Sequence, residues 1–316
     1  MDYPPTILLT KQRQLSGKRI SLLSPAKINL YLNVLGRYRD GFHNIETIVN
    51  RVTLFDRITV VVKKSPNIEV FSNLPQLENE DNLCFKAASL LKKRLRVRYG
   101  FSIYLEKNIP IGAGLGGGSS NAATTILAII KLLNLNVPIS RLYQWGEELG
   151  SDVNFFFSQV SFALLKGKGE KVFPLDVKSK LKYLIIYPQI NLSTKLVYEK
   201  MDTLQEAAKR RLLKNNNREK GELTKFFSRV KILIYALKRK DYLLIEKGSF
   251  NMLERSVFSL YRELEEIKIS LKRKGFFCQL TGAGSSLFSI LKGENYWDKG
   301  IFSKKKEWLI FEVSSF

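Results

Sequence analysis

Between Pro110 and Asn121 the chain reads Pro-Ile-Gly-Ala-Gly-Leu-Gly-Gly-Gly-Ser-Ser-Asn. Residue types in this order can hold an anion. Glycines let the backbone approach a phosphate without a Cβ in the way, and their N–H groups can converge on one point. The run comes after a strand-like segment, Phe101 to Leu105, and enters an Ala-rich apolar stretch, Ala122 to Leu133, whose composition suits a helix. A helix N-terminus adds partial positive charge at the same point. Ser119, Ser120 or Asn121 can cap that helix or reach a phosphate or its metal ion. The chemistry implied is a cradle for a nucleoside triphosphate, with a ligand-free glycine turn as the plain alternative.

Three familiar glycine loops fail to fit. A Walker loop needs Lys directly before its Ser or Thr, and Gly118 stands before Ser119. Gly112, Gly114 and Gly117 satisfy G-x-G-x-x-G, but a dinucleotide site also needs an acidic residue about 20 positions on, and Lys131 to Ser140 contains none. The protein-kinase loop needs Asp-Phe-Gly and His-Arg-Asp partners, and the chain has neither. What remains is a loop that holds phosphate by backbone and hydroxyls, without a lysine inside it.

The elements that must position this loop form a mixed α/β pattern. Ile20 to Leu23 and Ile28 to Leu35 read as two strands around a Ser-Pro-Ala-Lys turn. Asp56 to Lys63 and Ile68 to Phe71 read as a strand pair joined at Ser65-Pro66-Asn67. Leu83 to Arg94 has helical apolar spacing. The loop helix is expected to run to about Leu133, and Ser140 to cap a further helix ending near Gly150. Phe155 to Leu165 reads as a buried strand. After about Phe173 come a short strand, Leu184 to Tyr187, a charged stretch, Lys200 to Lys225, with Asn215 to Asn217 as a loop tip, and helices at Phe226 to Leu237 and Val257 to Leu271. A strand from Phe276 to Thr281 then meets a second glycine–serine loop, Gly282-Ala283-Gly284-Ser285-Ser286. That loop reads either as further backbone donors for phosphate or as a tight hairpin turn.

The chain has 316 residues, enough for about two domains, and a net charge of +23 from 52 basic and 29 acidic residues. Such charge suits nucleic acid, anionic lipid or anionic small substrates. Its basic triplets are scattered, at Lys92–Arg94, Lys209–Arg211, Lys238–Lys240, Lys272–Lys274 and Lys304–Lys306, which reads as solvated surface. No apolar run is long enough for a membrane span. Met1 to Lys18 makes a poor signal peptide, although a short transit extension stays open because Asp2 is its only acid. Cys84 and Cys278 sit in apolar contexts, as buried thiols of a reducing compartment would.

Four segments stand in order: Ser24 to Leu30, Pro110 to Asn121, Gly150 to Phe155 and Leu280 to Ser286. Together they resemble the GHMP kinase superfamily, over about Ser21 to Leu291. The resemblance implies an α/β (α+β) fold of two domains: an N-terminal ATP-binding domain, 21–172, with a ribosomal-protein-like β-α-β arrangement, and a C-terminal α/β sandwich, 173–316, after an extension, 1–20. It implies ATP as phosphoryl donor with Mg²⁺. The Pro25 to Leu30 and Gly41 to Asn44 segments narrow it to the branch whose acceptor is the 2-hydroxyl of 4-diphosphocytidyl-2-C-methyl-D-erythritol, in the non-mevalonate route to isoprenoid precursors.

Residue by residue, the resemblance makes Lys27 and Asp152 the catalytic pair. The chemistry agrees: a carboxylate can take the proton of a weakly nucleophilic alcohol, and a neighbouring lysine keeps it ionised and stabilises developing charge. Phosphoryl transfer otherwise needs positioning and neutralisation. ATP would be held by Pro110, Ile111, Gly112, Ala113, Gly114, Leu115, Gly116, Gly117, Gly118, Ser119, Ser120 and Asn121, with Asn82 and Lys107 near adenine and ribose. Ser120 is the candidate for Mg²⁺. Gly282, Ala283, Gly284 and Ser285 would form a second loop on the phosphate side. Asn29, Thr194 and Tyr198 would contact the acceptor. His43, the only histidine, would hydrogen-bond the cytosine, with Phe42 and Tyr198 stacking on its two faces.

One departure stands beside Asp152. The superfamily commonly reads Gly-Ala-Asp-Val-Pro, and this chain reads Gly-Ser-Asp-Val-Asn, so Asn154 is expected to loosen the turn that holds the base. Competing readings are another GHMP-type alcohol kinase and a basic RNA-binding protein, although no aromatic–basic RNA motif is present. The expected setting is the bacterial cytoplasm, or an organellar stroma if the N-terminus is a transit remnant, with no membrane or nucleic-acid partner.

Overall fold

A computed structural model describes residues 15–214, 222–292 and 307–316. It divides into two compact units woven from discontinuous segments. Unit 1 takes the chain up to Pro25, then Phe55–Ile109 and Gly117–Gln159; unit 2 takes Ala26–Leu54, Pro110–Gly116 and the chain from Val160 on.

The weave comes from two long strands, β1 (Arg19–Arg37) and β2 (His43–Lys63). The predicted Ser-Pro-Ala-Lys turn does not form. β1 continues through Pro25, and one residue later passes from unit 1 to unit 2. Proline lacks an N–H but keeps extended φ, so it interrupts a ladder bond without ending the strand.

In unit 1, β4 (Gly100–Glu106) pairs antiparallel with the second half of β2, Arg57 opposite Glu106. β3 (Ile68–Ser72) then adds parallel to β4, Ile68 opposite Phe101. The expected hairpin of Asp56–Lys63 with Ile68–Phe71 is therefore wrong, because β4 lies between them. Local turn chemistry at Ser65–Asn67 was real, but β4 pairs with both strands and buries Phe101, Ile103 and Leu105. Four helices complete the unit: α1 (Leu83–Leu95), α2 (Gly117–Leu133), α3 (Ile139–Leu149) and α4 (Val153–Ser158). α1 packs on α2, and α4 on α2 and α3. The N-cap of α3 is Pro138, with no side-chain cap bond, so Ser140 is not the cap. Phe155–Phe157 are buried in α4, and the expected strand begins only at Phe162. A continuous apolar run cannot by itself distinguish a buried strand from a buried helix.

In unit 2, the first half of β2 pairs with β5 (Phe162–Gly167), and β5 with β6 (Lys171–Pro174). β1 pairs with β8 (Phe250–Asn251) through Tyr31 and Leu32. A second, antiparallel sheet has the order β11-β7-β10-β9, from β7 (Lys182–Tyr187), β9 (Gln279–Leu280), β10 (Leu287–Leu291) and β11 (Leu309–Ser314). Around it lie α5 (Thr194–Lys214), α6 (Glu222–Arg239), α7 (Tyr242–Gly248), α8 (Glu254–Leu260) and α9 (Arg262–Arg273). The Val257–Leu271 helix is two helices, broken at Tyr261, whose φ of −135° and ψ of 82° are not helical. Leu184, Ile186, Val197, Met201, Leu264, Ile267, Leu280 and Leu287 share one core. The anticipated loop tip at Asn215–Asn217 lies outside the described residues.

Three basic triplets have a structural use. Lys92–Arg94, Lys238–Arg239 and Lys272–Arg273 fall in the last turns of α1, α6 and α9, where positive charge complements the helix dipole. Among the described residues no helix is long and apolar enough to cross a membrane. Cys84 and Cys278 are buried free thiols, and burial pushes each up to about 12.

Candidate active site

The glycine segment splits at Gly116. Its first half belongs to unit 2 and needs the left-handed region: φ is +67° at Gly112, +76° at Gly114 and +70° at Gly116. Gly114 also needs the missing side chain. A Cβ there would lie 2.5 Å from the Thr281 carbonyl oxygen and 2.8 Å from that of Gly284. Gly112 faces open space, with Asn191 Oδ1 the nearest group at 3.6 Å. The loop is pinned by its carbonyls: Leu115 O accepts from Lys27 N at 2.9 Å, Ala113 O from Ser286 N at 3.2 Å, and Ile111 O from the Tyr187 hydroxyl at 3.3 Å. Pro110 is half-buried and Ile111 exposed.

The second glycine loop supplies that support. It joins β9 to β10 as the hairpin alternative expected, with φ of +59° at Gly282 and +89° at Gly284 and a cis Gly284–Ser285 peptide. Gly284 N donates to Thr281 O at 3.0 Å, and Ser285 Oγ to Ile190 O at 2.5 Å. Only Ala283 of this loop is half-exposed.

In unit 1 the second half of the segment is helical. α2 starts at Gly117, so Ser119, Ser120 and Asn121 lie inside its first turns rather than capping Ala122. Gly118 is exposed and Ser119 half-buried at this N-terminus. Ser120 turns inward: it is fully buried, and its Oγ accepts from Ser24 Oγ at 2.8 Å. Asn121 Nδ2 donates to Ser24 Oγ at 3.0 Å and to Asp56 Oδ2 at 2.8 Å. Asp56, wholly buried, also accepts from Lys107 Nζ at 2.5 Å and from the N–H groups of Asn108 and Ile109 at 2.7 and 2.8 Å. Lys107 Nζ donates further to Ile109 O at 2.8 Å. Burial pulls the Lys107 ammonium below its ordinary value, and Asp56 opposes that. Lys107, expected near adenine and ribose, is thus tied to the buried Asp56 carboxylate that also holds Asn121 of α2. Asn82 is likewise occupied, capping α1 by accepting from Cys84 N at 2.8 Å while donating to Leu77 O at 2.8 Å.

Asp152 occupies the N-cap position of α4, yet its side chain makes no cap hydrogen bond. Asn154 stands in the first turn of α4. It is buried within the helix, and its amide fills the space over Gly146, where any Cβ would collide with Asn154 Oδ1.

In unit 2, Lys27 is 4% exposed and its Nζ donates to Asn29 Oδ1 at 2.7 Å. Asn29 is held on both sides: Nδ2 donates to Thr47 Oγ1, and its backbone N–H to Thr281 Oγ1, each at 2.9 Å. Thr47 and Thr281 carried no signal of this role in the sequence, although Thr281 opens the second glycine motif. Just before β2, Phe42 is 56% exposed with Lys168 Nζ 4.4 Å from its ring centre. His43 stacks on Tyr198 at 4.6 Å and 26°, so the described pairing of Tyr198 is with His43. His43 Nε2 lies 2.9 Å from Asp202 Oδ1, a residue no motif singled out. Thr194 is the exposed first residue of α5.

Comparison with known proteins adds an independent finding. The model of the GHMP kinases N terminal domain matches residues 82–159, and that of the GHMP kinases C terminal matches 233–298. The chain is 34% identical to the 4-diphosphocytidyl-2-C-methyl-D-erythritol kinase of Sulfurihydrogenibium sp. (strain YO3AOP1), across 85% of this chain and 90% of that one. It is 34% identical to the protein of the same name from Lachnospira eligens, across 87% and 90%. A crystal structure of 4-(cytidine 5'-diphospho)-2C-methyl-D-erythritol kinase superposes with a TM-score of 0.71 at 28% identity, covering 93% of this chain and 98% of that one. Mevalonate kinase of L. major shares the fold, at a TM-score of 0.72 and 17% identity over 95% and 97% of the two chains.

Proposed function

Because the chain belongs to the GHMP kinases, and within them to the 4-diphosphocytidyl-2-C-methyl-D-erythritol kinase family, we propose how its own residues divide that family's work. The reaction is ATP-dependent phosphorylation of the 2-hydroxyl of 4-diphosphocytidyl-2-C-methyl-D-erythritol, giving the 2-phosphate and ADP.

Asp152 takes the hydroxyl proton, and Lys27 supplies positive charge for the transferring group. The observation that carries this assignment is the place of Asp152, a carboxylate at the start of α4, which packs on α2, the helix whose N-terminus favours an anion. Asn29, anchored by Thr47 and Thr281, sets the height of the Lys27 ammonium. The triphosphate rests on the positive-φ glycines and the exposed start of α2, where orphan N–H groups and the helix dipole favour an anion. Asn82 and Lys107 act from beneath, shaping the nucleotide's bed.

Mg²⁺ would neutralise charge on the β- and γ-phosphates. Among the described residues no cluster of three His, Cys, Asp or Glu side chains could cage a metal, which fits an ion carried by the nucleotide's own oxygens. Ser119, half-exposed, suits the protein hydroxyl for it; Ser120 would first have to release Ser24. Phe42, His43 and Tyr198 would receive the cytosine, with Thr194 at the mouth of α5 as a further polar contact. The functional domains are taken as 21–172 and 173–316 after an extension, 1–20. The buried thiols suit a reducing compartment, cytoplasm or stroma.

The test is ADP release by the purified protein with ATP and Mg²⁺, with and without the diphosphocytidyl alcohol. Release should depend on that alcohol, and Asp152→Asn should lower kcat about 10²-fold or more with ATP binding retained. A near-normal rate for that variant removes Asp152 as base. Turnover of another alcohol in preference would move the substrate assignment and leave the base in place.

A further inference from the structure

We propose that Asp202, through His43, makes the base site select an amino-pyrimidine over an oxo-pyrimidine; this rests on His43 facing the base, as proposed above.

Asp202 lies on α5 and meets β2 with both oxygens engaged. Oδ1 stands 2.9 Å from His43 Nε2, and Oδ2 accepts from Arg37 Nη1 at 3.3 Å. Arg37 also donates from Nε to Gly41 O at 3.2 Å, so it clasps the turn that presents Phe42 and His43. That turn is closed by Tyr38 N donating to Phe42 O at 2.7 Å and Phe42 N to Asp40 Oδ1 at 3.1 Å. The His43 side chain is 10% exposed and its ring plane is fixed by stacking on Tyr198. The ring therefore has one position and one polar partner among the described residues.

A carboxylate only accepts. Facing Asp202, the neutral imidazole carries its proton on Nε2 and keeps a lone pair on Nδ1. An acceptor in that position pairs with the 4-amino group of cytosine, which donates. It meets the 4-oxo group of uracil as a second acceptor, leaving both unsatisfied. Asp202 thus acts as a positioning residue: it sets the tautomer, and the tautomer reads the base.

Asp202→Asn is the variant to make. Arg37 would hold the amide oxygen, turning the amide N–H₂ toward Nε2, which then accepts; the ring proton moves to Nδ1 and the donor/acceptor code inverts. As the chain has a single histidine, long-range ¹H–¹⁵N spectra of the untagged protein report on His43 alone. The wild type should show the Nε2–H tautomer and bind CDP more tightly than UDP. In Asp202→Asn the tautomer should change and the CDP-over-UDP preference should fall about tenfold or more, the range for one mismatched buried hydrogen bond, with the KM for ATP unchanged. Equal weakening of CDP and UDP, or an unchanged tautomer, makes Asp202 merely structural and overturns the inference. A wild type that binds CDP and UDP alike removes the cytosine reading of His43 itself, and this inference with it.

Discussion

The Gly112–Gly116 loop and the Gly282–Ser285 loop are written in the same residue types, and each uses glycines at positive φ. The element that each loop enters separates them. The first runs into a 17-residue helix, whose opening N–H groups have no intrahelical acceptor. The second runs into β10 and spends its donors at home, on Thr281 O and Ile190 O. In the proposed division of work one loop receives the anion, and the other is the wall that holds it in shape. A glycine–serine motif states that backbone comes close to something, and the next element decides whether that something is ligand or protein.

Gly114 is where the two loops touch, and its replacement should have the largest effect. Gly114→Ala drives a Cβ into Thr281 O and Gly284 O at an unfavourable φ, so a loss of about 3 kcal/mol or more is expected in urea denaturation. A variant of ordinary stability would mean that the loops do not depend on each other. Next comes the floor under the helical half. Asp56→Asn leaves the buried Lys107 ammonium without its carboxylate and should cost about 3 kcal/mol, with a raised KM for ATP as Asn121 loses its anchor.

Smaller effects sharpen the contrast. At Gly112 the space is open but φ is +67°. Gly112→Ala should destabilise by only about 1 kcal/mol while raising the KM for ATP, the reverse balance to Gly114→Ala. Ser285→Ala removes one buried hydrogen bond, worth about 1 kcal/mol, and should leave ATP kinetics unchanged. A severalfold rise in the KM for ATP would show that the second loop also touches phosphate, and the contrast between receptor and wall would go.

Much of the fold was legible in the residues. The helix after the first glycine loop, the strand at Leu184–Tyr187 and the hairpin at the second loop all come from local composition and turn chemistry. So does the failure of the three competing glycine motifs. The misses share a cause. β4 inserted between two strands that a local turn had joined, and the three phenylalanines after Asn154 look alike in a buried helix and a buried strand. The carboxylate that ties Lys107 and Asn121 together, Asp56, carried no signal either, standing 51 and 65 positions away. Asp202 carried no signal at all, being 159 positions from His43 in a charged stretch.

By itself, then, the sequence determined where backbone must bend and come close, since φ preference and the absence of a Cβ are properties of single residues. It also named the side chains able to take a proton or carry charge. Only the tertiary structure decided which of those groups remain available for chemistry. A buried donor or acceptor must find a partner, and that partner is chosen by packing across the sheet, not by spacing along the chain. Lys107 was claimed by Asp56, and His43 was given its orientation by Asp202.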